Sequence, residues 1–187
     1  KYKMATLFSG AGGLDTAFYE SEKFNLVFAN DVLDVPAQSY SKNYFHDIVP
    51  AEDFSKDSPI PAYVVGDVTK VKFEPLGQLD CMIGGPPCQD FSVARGSGRA
   101  GINSASSVKK KKEVSRGQLY LQFVRAVEKT SPKFFAFENV PGLRSANGGL
   151  AHETIINDFM DKGYSILFND VVNATRIGVP QARRRLI

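Results

Sequence analysis

The sequence predicts an α/β domain whose sheet is mostly parallel and covered by helices on both faces. Three observations carry that expectation. Short apolar runs interleave with helical patterns along the chain; the first run opens onto a glycine-rich turn, Phe8-Ser9-Gly10-Ala11-Gly12-Gly13-Leu14-Asp15; and the second run ends at Asn30-Asp31. No internal repeat interrupts the pattern.

Met4 to Ser9 reads as the first strand, and the glycine turn runs into a helix from about Leu14 to Ser21. Leu26 to Ala29 is a second strand. Val35 to Asn43 reads as a helix, with Pro36 near its start where proline is tolerated. Asp47 to Pro61, rich in proline and acid, is expected to be a surface connection. Tyr63-Val64-Val65-Gly66-Asp67 is a third strand closed by an acidic turn, and Leu79 to Ile83 a fourth. From Ser92 to Ser115 the chain becomes glycine, serine, alanine and lysine with almost no large apolar side chains, the composition of a functional lid or a disordered segment. Gly117 to Glu128 shows the spacing of a helix packed on a sheet, and Phe134 to Phe137 reads as a buried strand delivering Glu138 and Asn139 at its carboxyl end. Ile155 to Met160 is a helix stopped near Gly163, and Tyr164 to Asn173 is read as the inner part of a hairpin.

The 187 residues suit one domain with a real core, and the apolar and charged fractions exclude disordered and fibrous classes. Two cysteines, Cys81 and Cys88, cannot build a disulfide scaffold, and no signal peptide or long apolar span is read, so no membrane association is expected. The expected setting is cytoplasmic in a prokaryote and nuclear in a eukaryote. The net charge of +3 is uneven, with Lys109 to Lys112 in one block and Arg183 to Arg185 in another; such blocks face solvent or suit a phosphate backbone. His46 and His152 are isolated, so no metal site is expected. The sequence stops at Arg185-Leu186-Ile187, where an apolar strand is starting, which is read as a piece of something longer or a subunit of a split protein.

Two turns carry the chemistry. Ile83-Gly84-Gly85-Pro86-Pro87-Cys88 places a cysteine just beyond an apolar strand, where an α/β enzyme puts a nucleophile. The order strand, glycine turn, helix, strand, acid suits an adenosine-containing cofactor, with Asp31 accepting from ribose hydroxyls. The first turn lacks the spacing of a dinucleotide pyrophosphate loop, which disfavours an oxidoreductase. Cys81, inside an apolar strand, is expected to pack and not to react.

Taken in order, these motifs resemble those of the cytosine-C5 DNA methyltransferases, and the resemblance spans nearly the whole chain. Phe8 to Leu14 is similar to the family's S-adenosylmethionine loop, Gly66-Asp67 to its adenine-binding turn, Gly85-Pro86-Pro87-Cys88-Gln89 to its nucleophile motif, Glu138-Asn139-Val140 to its base-contacting motif, and Gln181-x-Arg183-x-Arg185 to its arginine motif. The fold implied is the Rossmann-like S-adenosylmethionine-dependent methyltransferase fold, incomplete at its C-terminus. The cofactor, leaving as S-adenosylhomocysteine, would meet Phe8, Gly10, Gly12, Gly13 and Leu14 on the first turn, Asp31 and Val32 after the second strand, Asp67 and Val68 after the third, and Pro86. Asp31 stands where the family usually has a glutamate, keeping the carboxylate but shortening its reach.

The resemblance assigns catalysis to Cys88, Glu138, Arg183 and Arg185, acting on a flipped-out cytosine of double-stranded DNA, and the segment at about 92–115 to a flexible active-site loop. Cys88 would attack C6, Glu138 would bond to N3, Arg183 would donate to O2, and Arg185 would brace the site or meet phosphate. Family members continue into a target-recognition region and a C-terminal helix. Residues 1–187 are therefore expected to be a partial catalytic domain, with target recognition in a missing C-terminal region or a second subunit, and a restriction-modification system is the implied setting. The alternatives are an RNA cytosine-C5 methyltransferase of the transfer-RNA type, or a non-catalytic cofactor- or DNA-binding subunit of a split enzyme.

Overall fold

The computed structural model of the protein describes residues 1–87 and 119–187. Cys88, the segment at 92–115 and the lysine block at 109–112 lie outside the described residues. The chain divides into two compact units, one of residues 1–86, 121–138 and 187, the other of residues 87–120 and 139–186.

The first unit is built on a parallel sheet. Its strands are β1 (Tyr2–Leu7), β2 (Phe24–Asp31), β3 (Asp47–Pro50), β4 (Ala62–Val65), β5 (Cys81–Gly84) and β6 (Phe134–Phe137), in the spatial order β3-β4-β2-β1-β5-β6. Every neighbouring pair is parallel. The central runs Met4 to Leu7 and Cys81 to Gly84 are buried without alternation, as expected for strands covered on both faces. Between the strands run α1 (Thr16–Glu20), α2 (Asp34–Tyr44) and α3 (Leu119–Thr130). In α2, Ala37, Tyr40 and Tyr44 fall on one face and are the residues it buries, while Pro36 sits in the first turn where its missing N–H costs nothing. α3 buries Phe123, Val124, Ala126 and Val127, and Phe123 meets the rings of Phe135 and Phe137 at 6.0 and 5.5 Å.

The expected surface connection from Asp47 to Pro61 is corrected at its start, where Asp47–Pro50 pairs with β4 as the edge strand. Only Val49 of the four is buried, and Pro50 is tolerated because the strand has a neighbour on one side alone. A run of four residues that ends in proline does not declare a strand until β4 offers it partners.

In the second unit, a 3-10 segment at Pro141–Gly149 leads into α4 (Leu150–Asp161), whose Ala151, Ile155 and Phe159 are spaced to bury one stripe. β7 (Val171–Asn173) and β8 (Arg184–Leu186) form an antiparallel pair, so the expected hairpin exists but pairs only its last three residues with the end of the chain.

Gly84 closes β5 in a crowded place, since a Cβ there would lie 2.7 Å from the Leu7 carbonyl oxygen and 2.9 Å from the Phe123 ring. Gly84→Ala is expected to lower the stability of the intact protein by about 2 kcal/mol, because a backbone oxygen cannot swing aside as a side chain can. Denaturant titration checks this; an unchanged midpoint would show that β1 and β5 separate without cost.

Candidate active site

Five of the segments singled out in the sequence follow the carboxyl ends of β4, β2, β1, β5 and β6, which are consecutive neighbours in the sheet. The chain builds outward from β1 through β2 to β4, then crosses back to place β5 on the other side of β1. Such a reversal opens a crevice above the strand ends, the usual ligand position in open α/β sheets.

The turn after β1 is held from several sides. Phe8 leaves the strand at φ +58°, a conformation costly for an aromatic residue, and such strain collects at functional sites. Ser9 N–H donates to the Asn30 carbonyl at 3.1 Å, and Gly10 N–H to Asp31 Oδ2 at 2.9 Å. The other carboxylate oxygen of Asp31 accepts from Leu33 N–H at 3.1 Å. Asn30 reaches the opposite way, its amide donating to the carbonyls of Val64 and Gly66 at 2.8 and 3.2 Å. One residue at the end of β2 thus ties the glycine turn to the acidic turn after β4. In that acidic turn Asp67 is exposed and caps the short 3-10 segment Val68–Lys70 by accepting from Thr69 N–H at 2.9 Å. Val68 is buried, whereas Val32 and Leu14 are exposed at the surface.

On the other side of β1, Gly85 and buried Pro86 follow β5, and Glu138 follows β6 with its N–H on the Gly84 carbonyl at 2.9 Å. A Cβ on Gly85 would stand 2.7 Å from Glu138 Oε2. The acid therefore lies over the glycine that begins the cysteine motif, three residues before Cys88 in sequence.

Arg183 and Arg185 belong to the second unit. Arg185 lies in β8 opposite Val172, and Arg183 is exposed just before the strand, its carbonyl accepting from Ala174 N–H at 2.9 Å. Asn139, next after Glu138, exchanges two backbone hydrogen bonds with Leu186, next after Arg185, at 2.9 and 2.8 Å.

Three groups of functional interest escaped the sequence. Asp15, at the end of the glycine turn, is fully buried; Tyr44 and Tyr63 place their hydroxyls under the turn's carbonyls; and Arg125 on α3 donates to the carbonyls of Val71 and Val68 at 3.0 and 2.8 Å beside the acidic turn, its guanidinium 4.6 Å from the Phe73 ring centre. The available signal was faint: Tyr40 and Tyr44 one helical turn apart among polar neighbours. Cys81 is fully buried, and burial, with Asp80 next to it, pushes its thiol up to about 12, so it packs. His46 is also buried, its Nδ1 meeting the Tyr44 carbonyl at 2.9 Å, and burial lowers its affinity for a proton. Among the described residues no group of three or more metal-ligating side chains gathers. No helix among them is long and apolar enough to cross a membrane.

The sequence profile of C-5 cytosine-specific DNA methylases matches residues 2–187. The chain belongs to this family. It is 40% identical to the DNA (cytosine-5-)-methyltransferase M.ApeKI of Aeropyrum pernix, covering all of this chain and 43% of that protein. It is 35% identical to the type II methyltransferase M.FnuDI of Fusobacterium nucleatum, over 98% of this chain and 45% of that one. The chain thus spans less than half the length of these curated relatives. Among solved structures, a DNA modification methyltransferase encoded within an Escherichia coli prophage superposes with a TM-score of 0.70 at 26% identity, over the whole of this chain and 45% of the other. The Dnmt2 methyltransferase of S. pombe shares the fold at a TM-score of 0.68 and 15% identity, over the whole of this chain and 49% of its own.

Asp15 carries the clearest electrostatic signature of this methylase chain. Burial raises its carboxyl from 3.8 to about 6, partly offset by the Tyr40 hydroxyl and by Thr6, whose Oγ1 donates to Oδ1 at 2.9 Å. Asp15 Oδ2 and the Tyr40 hydroxyl are near enough to couple but complete no well-formed hydrogen bond. The folded state therefore holds the proton more tightly than the unfolded chain. The resulting stabilisation is full below pH 4 and is lost as pH rises toward 6. Asp15→Asn is expected to remove this slope, worth about 3 kcal/mol, from the pH dependence of unfolding. Parallel melts of the two proteins between pH 4 and 7 check it; identical slopes would place the proton elsewhere.

Proposed function

We propose that the intact protein carrying this chain transfers a methyl group from S-adenosylmethionine to C5 of a cytosine in double-stranded DNA, through a covalent bond between Cys88 and C6. The observation that carries this reading is the Glu138 carboxylate lying over Gly85, where a Cβ would come within 2.7 Å of Oε2. An acid is thereby held beside the segment that bears the cysteine, on strands adjacent to the glycine turn.

The crevice above β1, β2 and β4 fits the cofactor. Gly10 and Gly13 leave open space where a Cβ would stand, so a ligand can approach the backbone, and the carboxylates of Asp31 and Asp67 stand at neighbouring strand ends to accept from ribose and adenine. When bound, S-adenosylmethionine supplies an electrophilic methyl group on a sulfonium.

Cytosine C5 is too weak a nucleophile until the ring is activated. Attack of the Cys88 thiolate forms a sulfur–C6 bond and pushes the C5=C6 electron pair onto C5. Glu138, protonated, donates to N3 and stabilises the charge that develops there, while Arg183 steadies O2 and Arg185 braces the site. C5 takes the methyl group; loss of its proton then drives electrons back toward C6 and expels the thiolate. A paired cytosine hides C6 in the stack, so the base must first leave the helix, and the segment at 92–115 is assigned to closing over it. Reading of the DNA sequence is assigned to residues outside these 187, in a longer chain or a second subunit, and a restriction-modification system is the proposed setting. A DNA substrate implies a cytoplasmic, nucleoid-associated setting in a prokaryote or a nuclear one in a eukaryote.

DNA is preferred to RNA as substrate because relatives at 40% and 35% identity bear the names of DNA and type II methyltransferases. Incubation of the intact protein with 5-fluorocytosine DNA and cofactor is expected to give a covalent adduct that Cys88→Ser abolishes, with no adduct on matched RNA. An adduct surviving in Cys88→Ser would refute the mechanism, and one on RNA alone would move the substrate. Neither adduct, with cofactor still bound, would favour a non-catalytic subunit. Gly85→Ala is expected to lower turnover about 100-fold while changing the melting temperature little, because the atom displaced is the far end of the Glu138 side chain and not backbone. Steady-state kinetics beside a thermal melt separate the two effects.

A further inference from the structure

On the core side of the glycine turn lie three buried tyrosines, Tyr40 and Tyr44 from α2 and Tyr63 from β4. Their rings pack in series, Tyr40 standing 4.4 Å from Tyr44 and 4.8 Å from Tyr63 between centroids. Two of the hydroxyls end on the turn itself. Tyr63 donates to the Gly10 carbonyl at 3.0 Å, and Tyr44 to the Gly12 carbonyl at 2.9 Å, where it joins the Asp15 N–H, the Thr16 N–H and Thr16 Oγ1, each at 3.0 Å.

A trans peptide holds its C=O and N–H in opposite directions. A Gly10 carbonyl drawn inward to Tyr63 turns the Ala11 N–H outward, and a Gly12 carbonyl drawn inward to Tyr44 does the same for the Gly13 N–H. The burial pattern agrees: Ala11 and Gly13 are exposed, and Gly12 between them is buried. Gly12 is also glycine because of this arrangement, since at φ +92° a Cβ would overlap the Tyr44 ring. Burial pushes the Tyr63 hydroxyl above its ordinary range, reinforced by Asp31 and Asp15, so it stays protonated and can only keep donating.

We propose that Tyr63 and Tyr44 are positioning residues for the cofactor, Tyr63 pinning the Gly10 carbonyl inward and Tyr44 reinforcing the bonds that Asp15 and Thr16 make to the Gly12 carbonyl, so that the Ala11 and Gly13 N–H groups converge on the carboxylate of its methionyl end. Paired outward N–H groups on a turn form a ready anion site. The proposal rests on the cofactor reading above and adds to it what fixes the turn. Tyr40 serves as an internal control, because its hydroxyl is buried but donates to no carbonyl of the turn.

Titration calorimetry of the intact protein with S-adenosylmethionine tests this. Tyr63→Phe is expected to weaken binding about fivefold, the loss of one net hydrogen bond, and Tyr44→Phe by less, because the Gly12 carbonyl keeps its bonds from Asp15 and Thr16, while Tyr40→Phe stays within twofold of wild type. The cofactor KM should rise in the same proportion with kcat at saturating cofactor within twofold, a split that a merely structural role would not produce. Unchanged affinity in the Tyr63 and Tyr44 variants, or equal weakening in Tyr40→Phe, would overturn the proposal. Wild type that binds no cofactor would overturn the methyl-transfer reading and this one with it. Amide exchange in the unsubstituted protein decides the matter even if a variant fails to fold: Ala11 and Gly13 should exchange fast without cofactor and slowly with it, and slow exchange from the start would overturn the outward orientation.

Discussion

β1 is paired along both edges, to β2 through six residues and to β5 through four, and both pairings are parallel. That shared strand is the constraint on which the site depends. Parallel pairing brings every carboxyl end to one edge, so turns far apart in the chain emerge side by side. It also leaves each strand with both faces covered, which explains the unbroken burial of Met4 to Leu7 and of Cys81 to Gly84. An antiparallel neighbour would have sent one of these turns to the opposite edge and dispersed the site.

Around this frame the turns are fixed by polar groups reaching across strands more than by their own conformational preference. Asn30 joins the turns after β1 and β4, Asp31 holds Gly10 from the side, and Arg125 grips the carbonyls beyond Asp67. A loop so restrained loses little freedom when a ligand arrives, and that preorganisation favours binding. The cost lies in burying Asp15 and the tyrosine hydroxyls, which is tolerable only because most of these groups find partners.

The glycines of the two motifs illustrate a division of labour. Gly10 and Gly13 face open space, suited to a ligand, whereas Gly12 and Gly85 are small because a neighbouring side chain of the same protein occupies the room a Cβ would need. The chain belongs to the methylase family and spans less than half the length of the curated relatives it matches. Within the second unit, Asn139 and Leu186 exchange two backbone hydrogen bonds that tie the stretch after β6 to β8.

Apolar runs, the glycine and proline turns and the acids that follow strands were legible from the residues because each is a local pattern: a strand, its stop and a polar residue lie within a few positions of one another. The motifs in order sufficed to name the family, and the α/β class followed from the interleaving. Packing alone decided that Asp47–Pro50 is an edge strand, that Glu138 lies over Gly85, and that Tyr63 holds a turn 53 residues away. These contacts join residues separated by 15 to 53 positions. Their existence depends on sheet order and register, which no local run of side chains encodes, and a hydroxyl's partner is set only when strands and helices have met.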